Sequence, residues 1–143
     1  MEPLLVGWRE WVALPDLGIH KLKVKVDTGA RTSALHAFQI NYYEEKEQPM
    51  VCFAIHPRRG HPKVIECRAP VIDQRWVTDS GGHREERYVI QTTIVMAGNS
   101  WPIEITLTNR DDMRFRMLLG RTAMKNRLIV DPAASFLLGK NKI

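Results

Sequence analysis

Leu22-Lys23-Val24-Lys25-Val26-Asp27-Thr28-Gly29-Ala30 organises the reading of this chain. Apolar and charged residues alternate strictly along its first half. A β-strand sends successive side chains to opposite faces, so Leu22, Val24 and Val26 belong to a core and Lys21, Lys23 and Lys25 to the other face. The strand delivers Asp27 to a tight turn. Gly29 then permits a close approach of backbone to backbone. Taken alone, an acid, a hydroxyl and a glycine after a strand make an Asx-type turn.

The flanking sequence is strand-rich. Leu5–Val12 reads as a first strand, and Leu14-Pro15-Asp16-Leu17-Gly18 as a turn. Ser33–Ile40 reads as a strand with Leu35, Ala37 and Tyr42 on one face, and Tyr43–Pro49 as a solvated hairpin end. Val51, Phe53 and Ile55 alternate; His56–Pro62 is a turn; Lys63–Val77 is extended, with Pro70 marking an edge or a bulge. Thr78-Asp79-Ser80-Gly81-Gly82-His83 is a Gly-rich hairpin tip. Glu86–Ala97 is rich in Val, Ile, Thr and Tyr and turns at Gly98-Asn99 into Pro102–Thr108, with Ile103, Ile105 and Leu107 inward. Met117–Gly120 is a short buried strand. Arg121–Arg127 predicts a helix of about two turns, and Leu128–Pro132 a last strand. The expectation is a single all-β domain over 1–143, a closed barrel or sandwich with one short C-terminal helix.

A chain of 143 residues is one domain by length, and its 44% hydrophobic content suffices for a core. No apolar run approaches the roughly 18 residues a membrane span requires. The N-terminus has no charged and apolar leader pattern, so a cytoplasmic protein with free thiols at Cys52 and Cys67 is expected. The net charge of +5 favours anionic partners. The Lys and Arg residues are scattered, and no basic run is interleaved with aromatic residues, so nucleic acid is not the expected partner.

Two features recur in a meaningful order: the apolar strand into Asp27-Thr28-Gly29-Ala30, and late in the chain Leu118-Leu119-Gly120-Arg121 opening the helix. The pair resembles the retropepsin-like aspartic peptidases, whose single lobe carries Asp-Thr-Gly-Ala, a flap hairpin, and a hydrophobic-hydrophobic-Gly segment beneath the catalytic loop. More narrowly, Gly82–Ile90, Thr106–Arg110 and Met117–Arg121 are similar to a bacterial family labelled ATP-dependent zinc proteases. That family is associated with RimK-type ligases, which add glutamates to a ribosomal protein. The resemblance implies a single-lobe retropepsin-like barrel and peptide-bond hydrolysis by Asp27. Thr28, Gly29 and Ala30, with Leu118, Leu119 and Gly120, would support the catalytic loop. It also implies a homodimer, because one lobe supplies one carboxylate and a twofold axis supplies the second. A peptide or protein is the implied substrate, and a RimK-type ligase or ribosomal protein the implied partner.

Asp79-Ser80-Gly81 is a second acid-hydroxyl-Gly motif. A two-lobed peptidase needs far more chain, only one Leu-Leu-Gly segment exists, and Arg75-Trp76-Val77-Thr78 is not an apolar approach. Ser80, Gly81 and Gly82 therefore occupy the flap position, where mobile tips close over substrates. Arg84 and Arg87 beside the flap, and Arg31 and Arg121 beside the two motifs, are candidates for binding substrate carboxylates, which fits a glutamate-rich peptide. Arg31 and Arg121 could equally pair with acids such as Asp131. His36 is a candidate for orienting the site or for a satisfied core position. Cys52, His56, His61 and Cys67 are the weak candidates for zinc, at a spacing that matches no common finger. There is no His-Glu-x-x-His and no phosphate-binding Gly-Lys loop, so neither metal nor other cofactor is expected. The alternatives to an aspartic endopeptidase are a non-catalytic β module that recruits a ribosomal or ligase partner, and a zinc-dependent hydrolase.

Overall fold

The computed structural model of the chain describes residues 2–139. Its strands are β1 (Leu4–Val6), β2 (Arg9–Leu14), β3 (Ile19–Val26), β4 (Ser33–His36), β5 (Phe38–Glu45), β6 (Gln48–Ile55), β7 (Ile65–Thr78), β8 (Arg84–Met96), β9 (Asn99–Thr108), β10 (Met117–Leu119) and β11 (Leu128–Val130). One four-residue helix, α1 (Arg121–Met124), lies between β10 and β11. The expected all-β architecture, with one short helix near the C-terminus, is what forms.

Nine strands make one sheet in the order β2-β3-β10-β4-β9-β8-β7-β6-β5. A pairing of Ala13 on β2 with Val95 on β8 bends the first part of that sheet into a ring. β7, β6 and β5 extend from it as an antiparallel arm. β1 and β11 form a separate parallel pair, Leu5 opposite Ile129. The ring encloses Leu14, Ile19, Leu22, Leu35, Ile90, Ile94, Met96, Ile105, Met117 and Leu119, all fully buried. Each such side chain contributes roughly 1.5–3 kcal/mol by leaving water. On β3 the expected alternation holds: Leu22, Val24 and Val26 are buried, while Lys23 and Lys25 are exposed.

Several boundaries differ from the sequence reading. The first strand is interrupted at Gly7, where a Cβ would lie 2.3 Å from the Ala134 carbonyl oxygen. The C-terminal segment fills that place, and Trp8 N–H donates to Ala134 O at 2.8 Å. The segment from Ser33 breaks at Ala37, whose N–H turns to Thr108 O, and Gln39 adopts φ +52. Tyr42 is 46% exposed and does not share the buried side of Leu35 and Ala37. Pro70 sits in an interior strand, and a register shift between Val71 and Asp73 supplies the bulge beside it. The helix stops at Met124 because Lys125 leaves the helical basin (ψ 125) and Asn126 is left-handed (φ 63). The tail is pinned by the buried Glu10 carboxylate, which accepts the N–H groups of Gly7 (2.7 Å), Leu137 (2.9 Å) and Leu138 (3.2 Å). Among the described residues no helix is long and apolar enough to cross a membrane.

Candidate active site

The site is built by an insertion. β3 and β4 are consecutive in sequence and flank the loop 27–32, yet they are not hydrogen-bonded to each other. β10 lies between them, parallel to β3 (Leu119 opposite Val26) and antiparallel to β4 (Leu118 opposite Ala34). The loop must therefore arch over the end of β10. Asp27 N–H donates to Leu119 O at 2.9 Å, and Ala30 N–H returns to Asp27 O at 3.2 Å. Past the strand, Arg121 N–H donates to Ala30 O (2.8 Å) and Thr122 N–H to Arg31 O (3.1 Å).

Gly120 is the contact on which this arrangement depends. A Cβ there would lie 2.5 Å from the Thr32 carbonyl carbon and 2.6 Å from its oxygen, distances that no side chain tolerates. Its N–H donates to the buried Ser33 Oγ at 3.0 Å. The Asp27 carboxylate is partly buried, and its Oδ1 accepts the Gly29 N–H at 3.0 Å. One carboxylate oxygen is thus oriented by backbone, and Oδ2 has no hydrogen-bond partner among the described residues. Thr28 and Gly29 are exposed beside it, and the Arg121 guanidinium donates to Thr28 O at 3.0 Å.

Asp27 lines a cleft of about 1140 Å³ together with Gly29, Ala30, Arg31, Leu118 and, from the opposite side, Asp79 and Ser80. The hairpin β7–β8 carries that far wall. At its tip Asp79 Oδ1 accepts the N–H groups of Gly81 and His83, both at 2.9 Å, and Gly82 takes φ +84. Asp79 Oδ2 accepts Arg110 at 2.9 Å, tying the tip to the segment after β9. These contacts, the His83 N–H foremost, hold the Asp79 carboxyl below its usual range. Arg110 N–H in turn donates to Nδ1 of His36, whose Nε2 lies 3.4 Å from Asp111. His36 is therefore a buried support for the flap anchor and does not line the cleft.

The other basic candidates divide. Arg31 lines the cleft. Arg121 is engaged with Thr28 O and makes no ion pair with Asp131 among the described residues. Arg87 lines the cleft from the root of the hairpin but is buried, bonded to Glu85 and Thr106. Arg84 does not line the cleft but lies 4.8 Å over the ring of Trp76, which does. The sequence reading missed Lys25, Arg75, Arg110 and Arg114 as cleft residues. Arg75 is tied to Asp73 and Glu104 and Arg110 to Asp79 and Asp112, whereas Arg31, Arg114 and Lys25 have no carboxylate partner among the described residues.

The Cys/His set is not assembled. Phe53 pairs with Cys67 and Cys52 with Arg68 across β6 and β7, so the two thiols lie on opposite faces of the arm. His56 stacks on Phe38 and its Nδ1 contacts Lys63 O, while His61 accepts the Lys63 N–H. No group of three or more His, Cys, Asp or Glu side chains among the described residues is placed to hold a metal.

A family model described as retropepsin-like aspartic endopeptidase RimB matches residues 5–141. The chain belongs to this RimB-like family. Two curated relatives, from Shewanella pealeana and Parasynechococcus marenigrum, are each 47% identical over 137 residues and carry the name "Probable alpha-L-glutamate ligase". The match covers 95% of this chain but 30% and 29% of those longer proteins. A crystal structure of a Legionella pneumophila protein of unknown function (DUF785) superposes with a TM-score of 0.80 at 26% identity, covering 94% of this chain and 98% of that one. The overall fold of this chain is accordingly shared with that solved structure.

Proposed function

We propose that this chain is an aspartic endopeptidase whose active site is completed by a second copy, with Asp27 from each activating one water between them. The supporting observation is the Asp27 loop: a carboxylate oriented by the Gly29 N–H, on a loop clamped through Leu119 and Gly120, facing a flap across a cleft. Two carboxylates at hydrogen-bond distance cannot both ionise, so the pair shares one proton. The ionised member takes a proton from the water as it attacks the peptide carbonyl, and the protonated member donates to the carbonyl oxygen. The titration belongs to the pair.

A second copy has a surface to meet. Thr28, Arg31 and Thr122 also border a hollow of about 840 Å³ that includes Met124, Leu128 and Val130. Leu5 and Ile129, paired on β1 and β11, are each more than half exposed. A hollow that borders the Asp27 loop and is partly apolar suits a twofold contact. The unpaired cations Arg31, Arg114 and Lys25 in the cleft favour acidic, glutamate-rich peptides.

Purified chain is expected to cleave a glutamate-rich peptide, insensitive to chelators, and Asp27→Asn to abolish cleavage with fold and dimer mass retained. Cleavage by the Asn variant refutes the mechanism. A second reading draws on the relatives, in which the matched region is under a third of a protein named as a ligase: a non-catalytic module recruiting a ligase or ribosomal partner. That reading requires Asp27→Asn to leave its activity unchanged.

A further inference from the structure

The outer face of β3 carries a feature that the catalytic reading leaves unused. Lys21, Lys23 and Lys25 point the same way at every second residue, and the last of them lines the cleft that holds Asp27. The ammonium groups of the first two are organised by aromatic rings, Trp11 on the neighbouring strand and Phe115 from far along the chain. Lys21 and Lys23 lie 5.5 and 5.7 Å from the Trp11 ring, and Lys23 also lies 5.8 Å from Phe115, itself a cleft residue. Trp11 stands opposite Lys23 on β2, and Arg9 stands opposite Lys25. Among the described residues none of these four cations forms an ion pair with a carboxylate.

We propose that this ladder is a docking track outside the cleft for an extended acidic polypeptide, which it leads to Asp27. It rests on the peptidase reading for its destination but not for its binding. Three observations carry it. The spacing of alternate residues on a strand, about 6.6 Å, equals that of alternate carboxylates on an extended peptide. The rings hold the ammonium groups by cation–π attraction, so fewer rotamers are lost when a carboxylate arrives. The track is continuous with the cleft through Lys25 and Phe115. A nucleic acid, the other polyanion, would stack its bases on open rings; here Trp11 and Phe115 are partly buried beneath the lysines.

The test measures binding of a fluorescent decaglutamate peptide to the Asp27→Asn chain, which cannot consume it, by anisotropy at low salt. Lys21→Gln/Lys23→Gln on that background is expected to weaken binding about five- to tenfold, as two exposed ion pairs allow, and to flatten its salt dependence. Lys46→Gln/Lys63→Gln removes the same charge elsewhere and is expected to change affinity less than about twofold. Equal losses in both double variants, or none in the ladder variant, overturn the proposal. So does tighter binding of a ten-residue oligothymidylate. Ladder-dependent binding in a chain whose Asp27 form cleaves nothing would support the track and refute the peptidase reading separately.

Discussion

Asp27 and Leu119, separated by most of the chain, are joined by a 2.9 Å hydrogen bond from the backbone N–H of the first to the carbonyl of the second. That bond fixes the height of the carboxylate above β10. The next residue, Gly120, lets Thr32 pass within contact of the strand end.

Gly120→Ala places a methyl group into the Thr32 backbone, where no flexible side chain can yield. A loss of about 1–3 kcal/mol is expected from overpacking of this kind, read as a lower urea midpoint at unchanged slope. Peptide cleavage should fall more than stability alone explains, because the strain falls on the Asp27 loop.

The flap anchor is a single ion pair, Arg110 to Asp79, on a pair of side chains that are 40% and 14% exposed. Arg110→Gln should leave global stability within about 1 kcal/mol, as surface pairs do. It should raise amide hydrogen exchange at residues 79–83 while sparing β8 beyond them. Unchanged exchange at the tip would mean that the Asp79 turn holds itself.

His36 is held below its ordinary value of 6.5 chiefly by burial, with the Arg116 charge adding to the effect and Asp111 opposing it. The folded form thus binds its proton more weakly than the unfolded chain. Stability is complete above about pH 6.5 and is lost as pH falls through the lowered folded value. His36→Gln should flatten that limb of the stability profile. By NMR, His36 should titrate below the ordinary histidine value of 6.5.

Burial pushes the Cys67 thiol up to about 11, and its Sγ donates to Leu17 O. At about pH 8 it is almost wholly protonated, and only the thiolate reacts. Alkylation should label the half-buried Cys52 first, and Cys67 only on unfolding.

What the sequence conveyed was local. β3 was legible because Lys and apolar residues alternate from Lys21 to Val26. Ile103, Ile105 and Leu107 were legible on β9 for the same reason. The insertion of β10 between β3 and β4 was not, because strand pairing across ninety residues leaves no periodic trace; only the order of the Asp-Thr-Gly-Ala and Leu-Leu-Gly segments hinted at it. Tyr42 was misplaced because it lies five residues beyond Ala37, an odd step that strand alternation sends to the opposite face. The basic and aromatic patch was likewise unread: Trp11 meets Lys21 and Lys23 across the β2–β3 pair, but Phe115 reaches Lys23 from the far end of the chain. In the cleft, Asp27 and Arg31 were found from their motif, whereas Arg110 and Arg114 arrive on the segment between β9 and β10, which carries no pattern of its own.

The central claim is that one active site requires Asp27 from two chains. The most direct measurement mixes wild-type and Asp27→Asn chains under conditions of subunit exchange, at constant total concentration, and follows peptide cleavage. Random pairing predicts activity proportional to the square of the wild-type fraction, about one quarter at an equal mixture. A linear decline to one half would mean that each chain acts alone, and would contradict the account.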